Sequence, residues 1–196
     1  MKLHLDEIKD KLKSLVDSDR YLHTLGTLHT SMILADKWGA DLEKTATASL
    51  LHDCAKCYKS DKMESLIREF GLFKDELDFK FPKLWHAFLG SHIAKEYFGV
   101  DDEEIIESIY MHPTGCPNMT LLQKIIFISD YCEPLRKGNK VNYIKEAALE
   151  DIDKAVSIIA DSKIKYLSKN LKNIHPRALE TYNYYCKSSS KKEEVQ

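Results

Sequence analysis

The chain has 196 residues, 43% hydrophobic and 31% charged, with a formal net charge of −2. This size fits one domain that buries about 70% of its unfolded surface, and the charge balance excludes a chain-wide electrostatic attraction to nucleic acid. Five cysteines, an odd number at irregular spacing, argue against a disulfide framework and point to a reducing compartment.

Residues 3–16 place Leu5, Ile8, Leu12, Leu15 and Val16 on one stripe, which predicts an amphipathic first helix. Its charges interrupt any apolar core, so it reads as neither a signal peptide nor a membrane span, and a cytoplasmic protein is expected. A second helix is predicted from about Asp19 to Trp38, stopped by Gly39. Asp41 can cap a third, which carries Leu42, Ala46, Ser49 and Leu50 toward His52 and Asp53.

Ser60 or Asp61 is the expected cap of a short helix ending at Gly71. Pro82 suits the first turn of the next, which runs through WHAFLGSHIAKEYF to Gly99. The acidic run at 101–104 favours the N-terminus of a helix reaching Met111 and His112, where PTGCPN breaks it. Thr120 can cap TLLQKIIFISDYCE, which Pro134 terminates, and further helices are predicted over 141–171 and 176–187. Strand signals are scarce, and no interior linker or repeat is evident. The expectation is one all-α helical bundle over 1–187, followed by a polar, disordered tail at 188–196.

The eight histidines divide by neighbourhood. His4 lies on a charged helix face, and His29 and His92 lack a carboxylate at suggestive spacing; all three read as ordinary surface or partly buried residues. His23 in RYLHTLG, His52-Asp53 in SLLHDCAK, His86 in HAFLGSHIA, His112 in YMHPTGCPNMT and Asp130 in ISDYCEPLR each fall on or at the end of a predicted helix. Packed helices build metal sites from such inward-facing side chains. Imidazole plus carboxylate suits Fe, Mn, Zn, Ni or Co, and the lack of a thiolate set disfavours a structural zinc. Cys54 and Cys57 form a lone CxxC without the second pair of a four-ligand site, and they read as packing residues.

The order H…HD…D, here His23, His52-Asp53 and Asp130, resembles the HD superfamily of metal-dependent phosphohydrolases. Over residues 20–136 the five segments quoted above resemble its YqeK-type branch, the bacterial symmetrical diadenosine tetraphosphate hydrolases. The resemblance implies an HD-domain bundle, bound iron or a similar metal (Mn, Co or Ni as substitutes), and hydrolysis of diadenosine tetraphosphate to two ADP. Under it, His23, His52, Asp53 and Asp130 are expected to hold the first ion. Asp53 would bridge to a second ion with His86 and His112, and a metal-activated water would attack the phosphate chain. With one ion only, His86 and His112 would instead contact phosphate or protonate the leaving ADP.

The anionic substrate needs cations. Arg20 precedes His23 by three residues on the same helix face, Lys56 stands likewise to Asp53 as a further catalytic candidate, and Arg136 matches the terminal Arg of the motif. Lys56 could equally pair with a structural carboxylate. Pro113 beside His112, and His175, Arg177 and Tyr182 in IHPRALETYNYYC, are candidate nucleotide contacts. Gly26 sits one turn after His23; it either admits a nucleotide or permits close helix packing.

The expected partners are nucleotides, without nucleic acid or membrane, and a homodimer is left open. The rival readings are another HD nucleotide phosphohydrolase (a nucleotidase or dNTPase) and a non-catalytic nucleotide-sensing module. Intact ligands at every motif position disfavour the latter.

Overall fold

The computed structural model describes residues 4–73, 76–170 and 172–193, and every regular element among them is a helix. The chain opens with α1 (Leu5–Leu15), whose Ile8 and Leu12 are buried. Asp17 accepts from the Arg20 amide to start α2 (Ser18–Trp38), and Gly39, at φ +70°, ends it. Asp41 caps α3 (Leu42–Leu51) by accepting from the Lys44 amide.

Seven successive residues of α3, Thr45 to Leu51, are buried, so this helix is surrounded. Its small residues let neighbours approach, and its hydroxyls are satisfied internally: Thr45 donates to the Asp41 carbonyl and Ser49 to that of Thr45. Ser49 and Ser31 of α2 meet at 2.6 Å, a polar tie between the two helices inside an apolar region.

After a 3-10 turn at Cys54–Cys57 come α4 (Ser60–Glu69), the short α5 (Glu76–Phe79), a 3-10 turn at Pro82–Leu84 and α6 (Trp85–Glu96). The boundaries differ in places from expectation. The cap of α4 is Lys59 rather than Ser60 or Asp61, without a side-chain hydrogen bond. The Pro82 turn is 3-10, and α5, too brief for a periodic signal, was not predicted. Then follow α7 (Glu103–Met111), capped by Asp102, and α8 (Leu121–Cys132), started by a capping box between Thr120 and Gln123.

The predicted 141–171 segment is two helices, α9 (Asn139–Glu150) and α10 (Ile152–Lys169). They part at Asp151, which is extended and accepts from the Lys154 amide. The last helix, α11 (Pro176–Glu193), extends into the 188–196 segment where composition predicts a disordered tail. Residues 194–196 lie outside the described residues.

Helix α8 divides the interior. Ile125, Phe127 and Ile128 pack with Leu34, Ile144, Val156 and Ile159, whereas Leu122 and Ile126 pack with Ile8, Leu12, Leu50 and Ile109. A third cluster joins Ile67, Trp85, Phe88, Leu89 and Tyr110. Full burial of a side chain such as Ile126 contributes about 1.5–3 kcal/mol, so α8 is fixed from both sides and its polar C-terminal turn, with Asp130, is delivered rigidly. No helix among the described residues is long and apolar enough to cross a membrane.

Candidate active site

Five helix ends and faces converge. His23 comes from the middle of α2, and His86 from the first turn of α6. His52 caps the C-terminus of α3 and His112 that of α7, while Asp130 sits in the last turn of α8. His52 keeps helical dihedrals, but at Asp53 the chain leaves the helix (φ −114°, ψ 14°). That exit lets two sequence neighbours reach one point: His52 Nε2 lies 3.4 Å from Asp53 Oδ2. On a continuing helix their directions would differ by about 100°.

Two groups of donors result, and they share Asp53. His23, His52, Asp53 and Asp130 form one, and Asp53, His86 and His112 the other, each with its ligand atoms within 4.8 Å of one another. Asp53 Oδ2 faces His23 Nε2 at 3.5 Å, and Oδ1 faces the Nε2 atoms of His86 and His112, both at 3.5 Å. Asp130 Oδ1 completes the first group, 3.2 Å from His23 Nε2 and 3.9 Å from His52 Nε2. Its side chain is the open member, 20% exposed against none for Asp53.

The tautomers follow from the far side of each ring. His52 Nδ1 meets the Ser49 carbonyl at 2.7 Å and must donate to it, which leaves Nε2 as a lone pair. His112 does the same with the Ile109 carbonyl at 2.7 Å. His23 Nδ1 faces the Glu133 carboxylate at 3.4 Å, again a partner that calls for the proton on Nδ1. Yet His23 and His52 bring their Nε2 atoms to 3.3 Å, and His86 and His112 theirs to 3.2 Å. At the His23–His52 contact both outer nitrogens have partners that take the proton, and lone pairs opposed in a buried site beside two carboxylates are a donor set for a cation. Asp53 Oδ1, buried and without a hydrogen-bond partner, adds to that case. The residues therefore fit a divalent metal.

Protonation agrees. Burial pushes His86 well below its ordinary pKa and lowers His112, so both are neutral, the ligating form. Burial would lower His52 too, but Asp53 and Asp130 outweigh it and hold it up. Burial alone would raise both carboxyls. Instead His52, His112 and Lys56 keep Asp53 well below the carboxylate range, and His23 and His52 do so for Asp130.

Arg20 and Lys56 both turn to Asp53 Oδ2, at 2.6 and 2.9 Å, so their charges border the first group. The carboxylate that Lys56 meets is thus a member of the donor groups. Arg136 lies beyond α8, with Nε 3.5 Å from Glu133 Oε1 and a side chain 55% exposed. The space above Gly26 is filled: a Cβ there would lie 2.8 Å from Glu133 Oε2 and 3.1 Å from Pro134 Cδ. Close packing, rather than access for a nucleotide, accounts for this glycine.

Next to His112 a cavity of about 450 Å³ opens, lined by Phe81, Pro113, Lys163, Tyr166, Lys172 and His175 among others. His175 is buried there against the edge of Phe81 and Asp78, with Nε2 3.4 Å from Asp78 Oδ1. Arg177 and Tyr182 do not line it. Arg177 stacks its guanidinium over Tyr110 at 4.8 Å, and Tyr182 is half-buried elsewhere on α11.

The remaining histidines are as expected. His4 and His29 are exposed, and His92 packs on Phe70. Cys54 is buried with its thiol pKa pushed up by burial, and Cys57 donates to the Cys54 carbonyl, so the CxxC packs and joins neither donor group among the described residues.

Sequence reasoning missed two residues. Glu133 is named above. Lys163 of α10 donates to the Pro113 carbonyl at 3.0 Å and lies over the Phe127 ring at 4.1 Å. Its signal was available: Val156, Ile159, Ala160 and Leu167 share its helix face, so a lysine stands on an apolar stripe.

The HD domain profile matches residues 20–135, from Arg20 to the residue before Arg136. The chain belongs to the HD family. Within it, this HD protein is 37% identical to the symmetrical bis(5'-nucleosyl)-tetraphosphatase of Halalkalibacterium halodurans, over 88% of this chain and 91% of that one. It is 33% identical to the enzyme of the same name from Bacillus subtilis, over 91% and 95%. Among solved structures, a predicted HD superfamily hydrolase involved in NAD metabolism from Clostridium acetobutylicum superposes with a TM-score of 0.90. That match is at 35% identity and covers 96% of this chain and all of the other. The HD protein thus sits among the YqeK-type symmetrical tetraphosphatases, and it shares its all-α fold with the Clostridium HD hydrolase.

Proposed function

We propose that this chain hydrolyses diadenosine tetraphosphate at the middle of its phosphate chain, giving two ADP, in the cytoplasm and with iron as the metal. The observation that carries the reading is Asp53: one buried carboxylate turns one oxygen to each of two histidine sets. Relatives bearing the symmetrical tetraphosphatase name over nearly their full length supply the substrate.

His23, His52, Asp53 and Asp130 would hold a first ion, and Asp53, His86 and His112 a second. When bound, such ions supply a Lewis acid that lowers the pKa of water and draws charge from phosphoryl oxygens. The chain's own residues do the rest. Burial keeps His86 and His112 uncharged, and the carbonyls of Ser49 and Ile109 lock their partner tautomers in place. Arg20 and Lys56, at Asp53, take phosphate oxygens near the reacting centre, and Arg136 grips the chain from the open side through its bidentate fork.

The cavity behind Pro113 accepts one nucleoside half, with Lys163 at its inner wall toward the metal ligands. Holding one ADP unit there while the other leaves is what sets cleavage at the centre. A product assay on protein of measured metal content tests this. ADP as the sole nucleotide product is expected. AMP with ATP would overturn the cleavage position, and no turnover with Fe, Mn, Co or Ni would overturn the reaction.

A further inference from the structure

We propose that Glu133 is a positioning residue that ties the metal ligand His23 to the phosphate-binding Arg136, with Gly26 present to make room for it. This rests on the reading of His23 as a ligand. Glu133 directly follows α8, three residues after Asp130, and is 2% exposed. Its Oε1 faces His23 Nδ1 at 3.4 Å on one side and Arg136 Nε at 3.5 Å on the other. Its Oε2 accepts from the Leu135 amide at 2.6 Å, and its carbonyl accepts from the Arg136 amide at 2.9 Å, so the carboxylate cannot swing away.

His23 is distinguished by this partner. His52 and His112 give Nδ1–H to backbone carbonyls, which fix a tautomer but carry no charge. A carboxylate on the outer nitrogen also raises the basicity of the ligating one and holds the ring in orientation. On a helix face such a carboxylate needs room, and Gly26, one turn after His23, is where the room is found: Glu133 Oε2 and Cβ occupy the volume a side chain would take. Because Oε1 meets both His23 and Arg136, the ligand geometry and the position of a substrate cation depend on one buried group.

The test is Glu133→Gln in the full chain, an isosteric change that removes the charge and keeps an acceptor for the Leu135 amide. Competition between the protein and a chelator for Mn(II), without nucleotide, should show affinity reduced ~10–100-fold; affinity within twofold of wild type overturns the proposal. In a His23→Ala background the same change should cost nothing further, whereas a full additional loss would show that Glu133 acts by another route.

For the link to Arg136, KM for diadenosine tetraphosphate should rise severalfold in Glu133→Gln, and Arg136→Ala should then add less than its own full effect. Strictly multiplicative effects overturn that link. Should Glu133→Gln not fold, nitrogen NMR of the wild-type His23 ring decides: a proton on Nδ1 supports the proposal, and one on Nε2 overturns it. The metal arm contains no nucleotide, so it stands or falls separately from the choice of substrate.

Discussion

His52 and His112 occupy equivalent places at the ends of two different helices. Each is the first residue past its helix, each folds Nδ1 back to the carbonyl three residues earlier at 2.7 Å, and their rings meet edge to face with centroids 5.1 Å apart. A helix C-terminus leaves carbonyls without intrahelical donors. In both cases the imidazole satisfies one of them and in doing so commits its other nitrogen to be a lone pair. The same local device thus turns one imidazole nitrogen to each side of Asp53, toward Oδ2 from His52 and toward Oδ1 from His112.

Two donor groups that share one carboxylate predict two ions per chain and separable losses. The double variant His86→Ala/His112→Ala should keep one equivalent of metal by elemental analysis, while Asp53→Ala, which removes the shared ligand, should retain none and be inactive. Chelation should also lower thermal stability. An ion present at 100 times its Kd adds about 2.7 kcal/mol, which for a chain of this size is roughly 5–11 °C in Tm. Unchanged stoichiometry in the double variant would reduce the second group to substrate contacts.

Lys163 should make nucleotide binding sensitive to alkaline pH. Burial lowers its pKa from the ordinary 10.5 to about 8, so the folded protein loses this charge first as pH rises. Between about 8 and 10.5 the unfolded chain holds one more proton than the folded one, and the contribution of this lysine to stability rises with pH across that window. The stability of wild type minus that of Lys163→Met should accordingly increase from pH 7.5 to 10, followed by urea denaturation at each pH. Ligand binding runs the other way: KM for the nucleotide should climb above pH 8 in wild type and stay uniformly high in the variant. Parallel stability curves for the two proteins would place Lys163 at an ordinary pKa.

The residues of the first donor group were legible because their chemistry is carried by residue type in order. A His, a His-Asp pair and a later Asp, each on a helix, say most of what the first group contains. What the chain could not show was convergence across long separations. Glu133 meets His23 from 110 positions away, and in a sequence it reads as one more acid before a proline. Lys163 was hidden differently, among the lysines of α10, although its place on the apolar stripe set it apart from the exposed Lys165 and Lys169. The irregular parts were least readable. Neither the exit from the helix at Asp53 nor α5 has a periodic pattern, and the first of these is what allows the HD pair to act together.

Gly26→Ala should destabilise the protein although alanine is the better helix former. Relief of the glycine penalty contributes up to about 1 kcal/mol. Against it, the new Cβ meets Glu133 Oε2 at 2.8 Å, an atom that a 2.6 Å hydrogen bond from the Leu135 amide prevents from yielding. Overpacking of this kind costs about 1–3 kcal/mol, so the net change is a loss, read as a fall of a few degrees in Tm. A gain in Tm would show that the carboxylate shifts freely.

Arg136→Ala should separate binding from metal. Its ion pair with Glu133 is long and its side chain mostly in solvent, and such pairs contribute only ~0–1 kcal/mol, so folding and metal content should barely change. Loss of a charge-assisted contact to phosphate is worth ~1.5–3 kcal/mol, which corresponds to a rise in KM of roughly 10- to 150-fold. Arg136→Lys keeps the charge but lacks the planar fork, and should recover only part of the loss. Steady-state kinetics on protein of measured metal content distinguishes the cases. Unaltered KM would remove Arg136 from the substrate's path, and loss of metal with intact folding would make it a support for His23 rather than a clamp on phosphate.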